Sequence, residues 1–141
     1  MSARLSRHTH RRRVHFYEVD QAAIVHFSNF YRYMEEAEHA FWRAAGLTLS
    51  DAGTLGFPRV SAAFEFHAPL RFDDEFDAEL LIAAIGRSSL RYACRITKDG
   101  APIATGAMTI VCVEVGPPMR SVPLPADIVN RIEVAGPDRT S

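Results

Sequence analysis

The feature that most constrains this chain is a change of hydrophobic period near residue 60. Before it, FSNFYRYMEEAEHAFWRAAGL (residues 27–47) places Phe30, Met34, Ala37, Phe41 and Ala45 at three- or four-residue spacing. That is one apolar stripe on a helix, with Arg32, Glu35, Glu36, His39 and Arg43 largely on other faces. Ser28 or Asn29 can supply an N-cap oxygen, and Gly46 the left-handed residue that ends many helices, so the helix is expected over about 29–45. After Gly53, Gly56 and Pro58 the period becomes two. Val60, Ala62, Phe64, Phe66 and Ala68 alternate with Ser61, Ala63, Glu65 and His67, which reads as a long strand.

Three more strands follow, over 75–85, 90–97 and 103–115. Gly86 opens a Gly-Arg-Ser-Ser connection, and Asp99-Gly100 suits a two-residue hairpin because both central residues need positive φ. The run ATGAMTIVCVEV has no charge before Glu114 and is expected as a central strand buried on both faces. Val14 to Tyr17 is expected as a short first strand, and SVPLPADIVNRIEVAG as the source of a short final helix. One long helix and five strands must cover each other's apolar faces, giving an α+β fold with an antiparallel sheet wrapped on a single helix. Its free edge and open face favour self-association, two sheets joining edge to edge.

The 141 residues suit one domain that can bury a core without a metal or disulfide staple. With 48% hydrophobic and 23% charged residues and a formal net charge of −1, the chain is unlike a disordered or nucleic-acid-binding protein. Cys94 and Cys112 lie in apolar runs, where cysteine acts as a small buried hydrophobe. No apolar run is long enough to span a bilayer, and the basic start is not followed by a signal-like apolar segment, so a cytoplasmic protein is expected. Residues 1–10 read as a flexible basic tail before a single domain over 11–141, with Arg11, Arg12 and Arg13 a solvated cluster or else a nucleic-acid or phosphate contact. His8, His10, His15, His39 and His67 show no metal-ligand spacing, so no metal is expected.

Chemistry concentrates in VHFYEVDQAAIVHFSNFYRYMEEAE, residues 14–38. Asp20 precedes an apolar patch that runs into a helix N-terminus, whose unpaired amides and positive dipole end suit a developing oxyanion. On residue type alone Asp20 either carries chemistry or caps a turn. Glu18, two residues earlier, is a competing carboxylate: it faces the same way as Asp20 if the strand persists, or is simply a solvated loop glutamate.

The segment resembles the signature of the 4-hydroxybenzoyl-CoA thioesterase family of hotdog enzymes, through Tyr17, Asp20, Ile24, Val25, His26, Phe27, Asn29, Phe30 and Glu35. The resemblance continues through FEFHAPLRFDDEF, IGRSSLRYACRI, ATGAMTIVCV and VPLP, nearly the whole chain in order. It implies the hotdog fold and hydrolysis of an acyl-CoA thioester to a carboxylic acid and free CoA. It makes Asp20 the catalytic carboxylate, as nucleophile or general base, and the backbone N–H of Phe27 the oxyanion donor. Tyr17, His26 and Asn29 are then candidates at the acyl site, and Arg87, Ser88 and Ser89 suit the phosphates of the coenzyme, ahead of Arg71 and Arg91. His26 either lines that site or packs. Coenzyme A is part of the substrate, so no cofactor is expected, and the partners are the acyl-CoA and a second copy or copies in a homodimer or homotetramer, with no nucleic acid and no membrane. Two departures stand out: Ala23 occupies a position where the family usually has glycine, and the histidine sits one position earlier than in many relatives. A hydratase, which would need Asp20 and His26 as a pair, and a non-catalytic acyl-CoA-binding module are the alternatives; the first normally has Asn-Pro between the pair, the second an added regulatory domain.

Overall fold

The computed structural model describes residues 4–48 and 53–136. In chain order the elements are β1 (Arg7–Arg13), α1 (Asn29–Ala44), β2 (Leu55–Gly56), β3 (Arg59–Phe66), β4 (Glu75–Ile85), β5 (Ser89–Lys98), β6 (Ala101–Val111), β7 (Val113–Glu114), β8 (Arg120–Ser121) and α2 (Ala126–Val129). Five strands form one antiparallel sheet in the order β1-β4-β5-β6-β3, and β2, β7 and β8 form a small second sheet. The helix α1 packs against β1 and β4. Among the described residues no helix is long and apolar enough to cross a membrane.

The periodicities carry the core as expected. Phe30, Met34, Ala37 and Phe41 of α1 are buried, and they meet the inward faces of β4 (Phe76, Ala78, Leu80, Ile82), β5 (Leu90, Tyr92, Cys94, Ile96) and β6 (Ala104, Met108, Ile110). Register places these residues opposite one another, with Leu80 across from Cys94 and Ile96 across from Ala104. Burying one such large side chain is worth roughly 1.5–3 kcal/mol. The hairpin between β5 and β6 turns at Asp99 (φ 49) and Gly100 (φ 80). Gly46 (φ 75) ends α1, where the Leu47 amide reaches back to the Trp42 carbonyl at 2.9 Å. Cys94 and Cys112 are free and buried, and burial together with Glu79 pushes the Cys94 thiol up to about 12.

Four expectations are corrected. First, residues 7–10 are no flexible tail: they form β1 together with Arg11, Arg12 and Arg13, while residues 1–3 lie outside the described residues. Arg11 pairs with Glu75 and Asp77 across the sheet and Arg13 with Glu75, both staying exposed as a solvated cluster would, whereas Arg12 turns inward to Glu18 and Glu36. Second, the strand ends where it was expected to begin; Phe16–Glu18 is a 3-10 turn, with the Glu18 carboxylate accepting from the His15 amide. Third, β6 is interior by strand order, yet Thr105 is exposed and Ala107 and Thr109 are half-buried, because α1 covers one face of the sheet only. Its lack of charge reflects Thr and Ala at outward positions. Fourth, Ser28 makes no side-chain cap bond; its hydroxyl is taken by His26 Nδ1 at 2.8 Å.

The edge strand β3 pairs with β6 alone, and most of its residues are exposed. It is tied to the helix at one end, where Arg59 forms ion pairs with the fully buried Glu38 and with Glu35.

Candidate active site

The loop between β1 and α1, residues 14–28, is folded and strapped down at several points. Val19 and Val25 form an antiparallel bridge, and the tip between them is closed by Asp20 N–H to Ile24 O and Ala23 N–H to Asp20 O, both 2.9 Å. Asp20 Oδ1 accepts the Ala22 amide at 2.8 Å, a local turn bond of the kind aspartate favours. Ala23 adopts φ 62, the left-handed conformation that a glycine would enter without steric cost. On the far arm, Val25 N–H bonds to Leu70 O at 2.8 Å and Ile24 bridges Arg71, which docks the loop against the chain leading into β4.

Asp20 and Phe27 both line a cleft of about 440 Å³, whose walls include Ile24, Phe30, Phe66 and Leu70. Phe30 stands edge-on to Phe66 with ring centroids 5.1 Å apart. Apart from the Asp20 carboxylate the lining side chains are apolar. Phe27 lies two residues before α1, and among the described residues no acceptor engages its N–H. Asp20 and Phe27, the latter just before a helix N-terminus, thus line one concave apolar site, an arrangement suited to a polarised carbonyl carrying an apolar substituent.

The other candidates divide. His26 is exposed beside Phe27, with centroids 4.7 Å apart, and its ring bonds to Ser28 rather than forming the cleft wall. Tyr17 is 75% exposed, and its hydroxyl meets His15 Nδ1 at 2.9 Å. Asn29 uses its side-chain amide to hold the Glu18 carbonyl at 3.0 Å. Arg87, Ser88 and Ser89 are not near Asp20 within one chain. They follow the end of β4, whereas Asp20 is strapped to the segment before its start, and eleven strand residues span on the order of 35 Å.

Glu18 is neither a solvated loop residue nor a partner facing Asp20. Its carboxylate is 3% exposed and accepts four hydrogen bonds: two from Arg12 at 2.5 and 2.8 Å, one from the His15 amide at 2.7 Å and one from the Tyr33 hydroxyl at 3.0 Å. Burial opposes its charge, but Arg12, the His15 amide and Tyr33 outweigh burial and hold the carboxyl below the ordinary glutamate range. The same three-way contact raises the Tyr33 hydroxyl, through burial first and then the Glu18 charge. A sequence signal for this was present in β1: read as a strand, RHTHRRR turns Arg12 away from Arg11 and Arg13, and an inward arginine requires a buried carboxylate. Among the described residues no group of three or more His, Cys, Asp or Glu side chains could hold a metal ion.

Comparison with known proteins shows the family. A family model described as the thioesterase-like superfamily matches residues 14–132. The 1,4-dihydroxy-2-naphthoyl-CoA hydrolase of Synechococcus elongatus is 29% identical over 125 residues, covering 86% of this chain and 91% of the relative. The 4-hydroxybenzoyl-CoA thioesterase of a Pseudomonas species is 26% identical over 133 residues, covering 86% and 94%. A solved gentisyl-coenzyme A thioesterase superposes with a TM-score of 0.82 at 29% identity, covering 89% of this chain and all of the other.

Proposed function

Since this chain belongs to the thioesterase-like superfamily and has its hotdog fold, we propose that it hydrolyses an acyl-coenzyme A thioester at the Asp20 cleft. The observation that carries the reading is the convergence of Asp20 and Phe27, with its unengaged N–H, on one apolar cavity at the start of α1. The acyl group fills the cavity, and the thioester oxygen accepts from the Phe27 amide. One such donor is worth about 2.7–4 kcal/mol of barrier when charge builds on that oxygen.

Asp20 then acts in one of two ways. As a nucleophile its free oxygen bonds to the carbonyl carbon, the C–S bond breaks with CoA leaving as the thiolate, and water cleaves the resulting anhydride. As a general base it takes a proton from water while the hydroxide adds to the carbonyl carbon, and the same C–S bond then breaks. Both routes give a carboxylic acid and free CoA from Asp20, an amide and water, with no further cofactor. The hydratase alternative needs His26 to face Asp20 across the site, and its ring instead bonds to Ser28.

The coenzyme's phosphates are assigned to Arg87, Ser88 and Ser89 of a second copy. One chain keeps this turn a strand length away from Asp20, but a two-fold axis that pairs two antiparallel β3 edges reverses the sheet of the partner. That reversal brings its β4–β5 turn to the Asp20 end, so the functional unit is a dimer joined at β3. A CoA-derived substrate and two unpaired cysteines fit a cytoplasmic setting.

The test is release of free CoA, followed with a thiol reagent, from aroyl-, short-, medium- and long-chain acyl-CoAs by wild type and Asp20→Asn. Thiol release that disappears in Asp20→Asn is expected; release that survives it would remove Asp20 from its role. Label in the Asp20 carboxylate after repeated turnover in H₂¹⁸O would establish the nucleophilic route with water entering at the Asp20 carbonyl, and acid-quench trapping of an acylated Asp20 detects that route when water enters at the acyl carbon instead.

A further inference from the structure

Resting on that reading, we infer that Glu18 is a positioning residue that sets the Asp20 carboxylate against the Phe27 amide, held in turn by Arg12 and Tyr33. Glu18 joins both arms of the loop through one residue. Its side chain is fixed by Arg12 from β1, Tyr33 from α1 and the His15 amide. Its main-chain carbonyl accepts from the His26 amide at 2.9 Å and from Asn29 Nδ2 at 3.0 Å. The first arm leads two residues on to Asp20, and the second, one residue on, to Phe27. A displacement of Glu18 therefore alters the separation of the two groups that act on the thioester.

Arg12 makes this anchor rigid. Its guanidinium also reaches Glu36 on α1 at 3.0 and 3.2 Å and lies over the Tyr33 ring, 4.9 Å from the centroid. The strand before the loop, the helix after it and the loop itself are thus joined by one partly buried charge network. Neither Glu18 nor Tyr33 lines the cleft, so neither touches the substrate.

The experiment measures kcat and KM for Glu18→Gln, Tyr33→Phe, Asp20→Asn and the Glu18→Gln/Asp20→Asn double variant, using whichever acyl-CoA of the panel wild type cleaves fastest. Glu18→Gln is expected to lower kcat by about 10- to 100-fold, as a small misplacement of reacting groups does, with KM within about threefold. Tyr33→Phe removes one of the four hydrogen bonds to the Glu18 carboxylate and should lower kcat by about 3- to 10-fold; it also serves if Glu18→Gln does not fold. Because Glu18 acts through Asp20, the double variant should be no slower than Asp20→Asn alone. Full kcat in the folded Glu18→Gln and Tyr33→Phe variants, or losses that multiply in the double variant, would overturn the inference while leaving Asp20 in place. Near-normal turnover by Asp20→Asn would instead overturn the reading of the site itself.

Discussion

Ala23→Gly should stabilise this protein, and the size of the gain follows from one dihedral angle. Ala23 sits at φ 62 in the turn between Asp20 and Ile24, where an L-residue carries a penalty of roughly 1–2 kcal/mol from its Cβ meeting the following carbonyl. Glycine removes that penalty but gives the unfolded chain more freedom, which takes back about 0.4–1 kcal/mol. Ala23 is exposed, so the lost methyl buries nothing. Taken at the middle of those ranges, the balance is a gain of about 0.8 kcal/mol, or roughly 2–4 °C in Tm for a domain of this size. Urea unfolding of wild type and variant at one fixed protomer concentration, with a shared m-value, reads the difference directly. Turnover should change by less than twofold, because the loop already follows the path a glycine would take. A destabilising result would mean that Ala23 is not held in the left-handed region, and the account of the Asp20 turn would fail with it.

The remaining predictions concern packing, pH and the second copy. Gly106→Ala should cost about 1–3 kcal/mol by overpacking, because a Cβ there would lie 2.6 Å from Cε1 of the Phe64 ring; equal midpoints in chemical denaturation would refute it. Glu18 titrates below its ordinary 4.5 when folded, so as pH falls the unfolded chain binds its proton first. Its stabilisation is full above about pH 5 and is lost as pH falls through the folded pKa. Glu18→Gln should therefore flatten the acid limb of a stability-against-pH curve, and an unchanged limb would count against the buried charge. Arg87→Ala should raise KM by about 10- to 100-fold, the worth of a charge-assisted hydrogen bond, with kcat little changed. Mixing Arg87→Ala and Asp20→Asn subunits should restore a low-KM activity if the arginine serves the partner's site, and a simple average of the two parents would show that it does not.

Much of the fold was legible before any coordinates, because α1 and β3 to β6 are specified by neighbours within a few residues of one another. The stripe Phe30, Met34, Ala37, Phe41 needs only a helix of 3.6 residues per turn to form a face, and Asp99-Gly100 needs only its own two dihedrals to form a turn. The motif around Asp20 was legible for the same reason, since the carboxylate and the helix N-terminus are contiguous in sequence. β1 was not, because RHTHRRR has no apolar alternation and becomes a strand only when Glu75 and Asp77 lie across from it, more than sixty residues away. The role of Glu18 was hidden likewise: a glutamate in a polar loop is ordinarily solvated, and only the convergence of Arg12 and Tyr33 makes it a buried anchor. Tertiary structure alone also separates Arg87 from Asp20, because strand direction decides which end of the sheet each turn occupies. Sequence by itself therefore determined the local periods, the turns and the catalytic candidate. The sheet decided which charges meet, since pairing across a sheet or against a helix depends on residues distant in the chain whose attraction matters only once folding has brought them together.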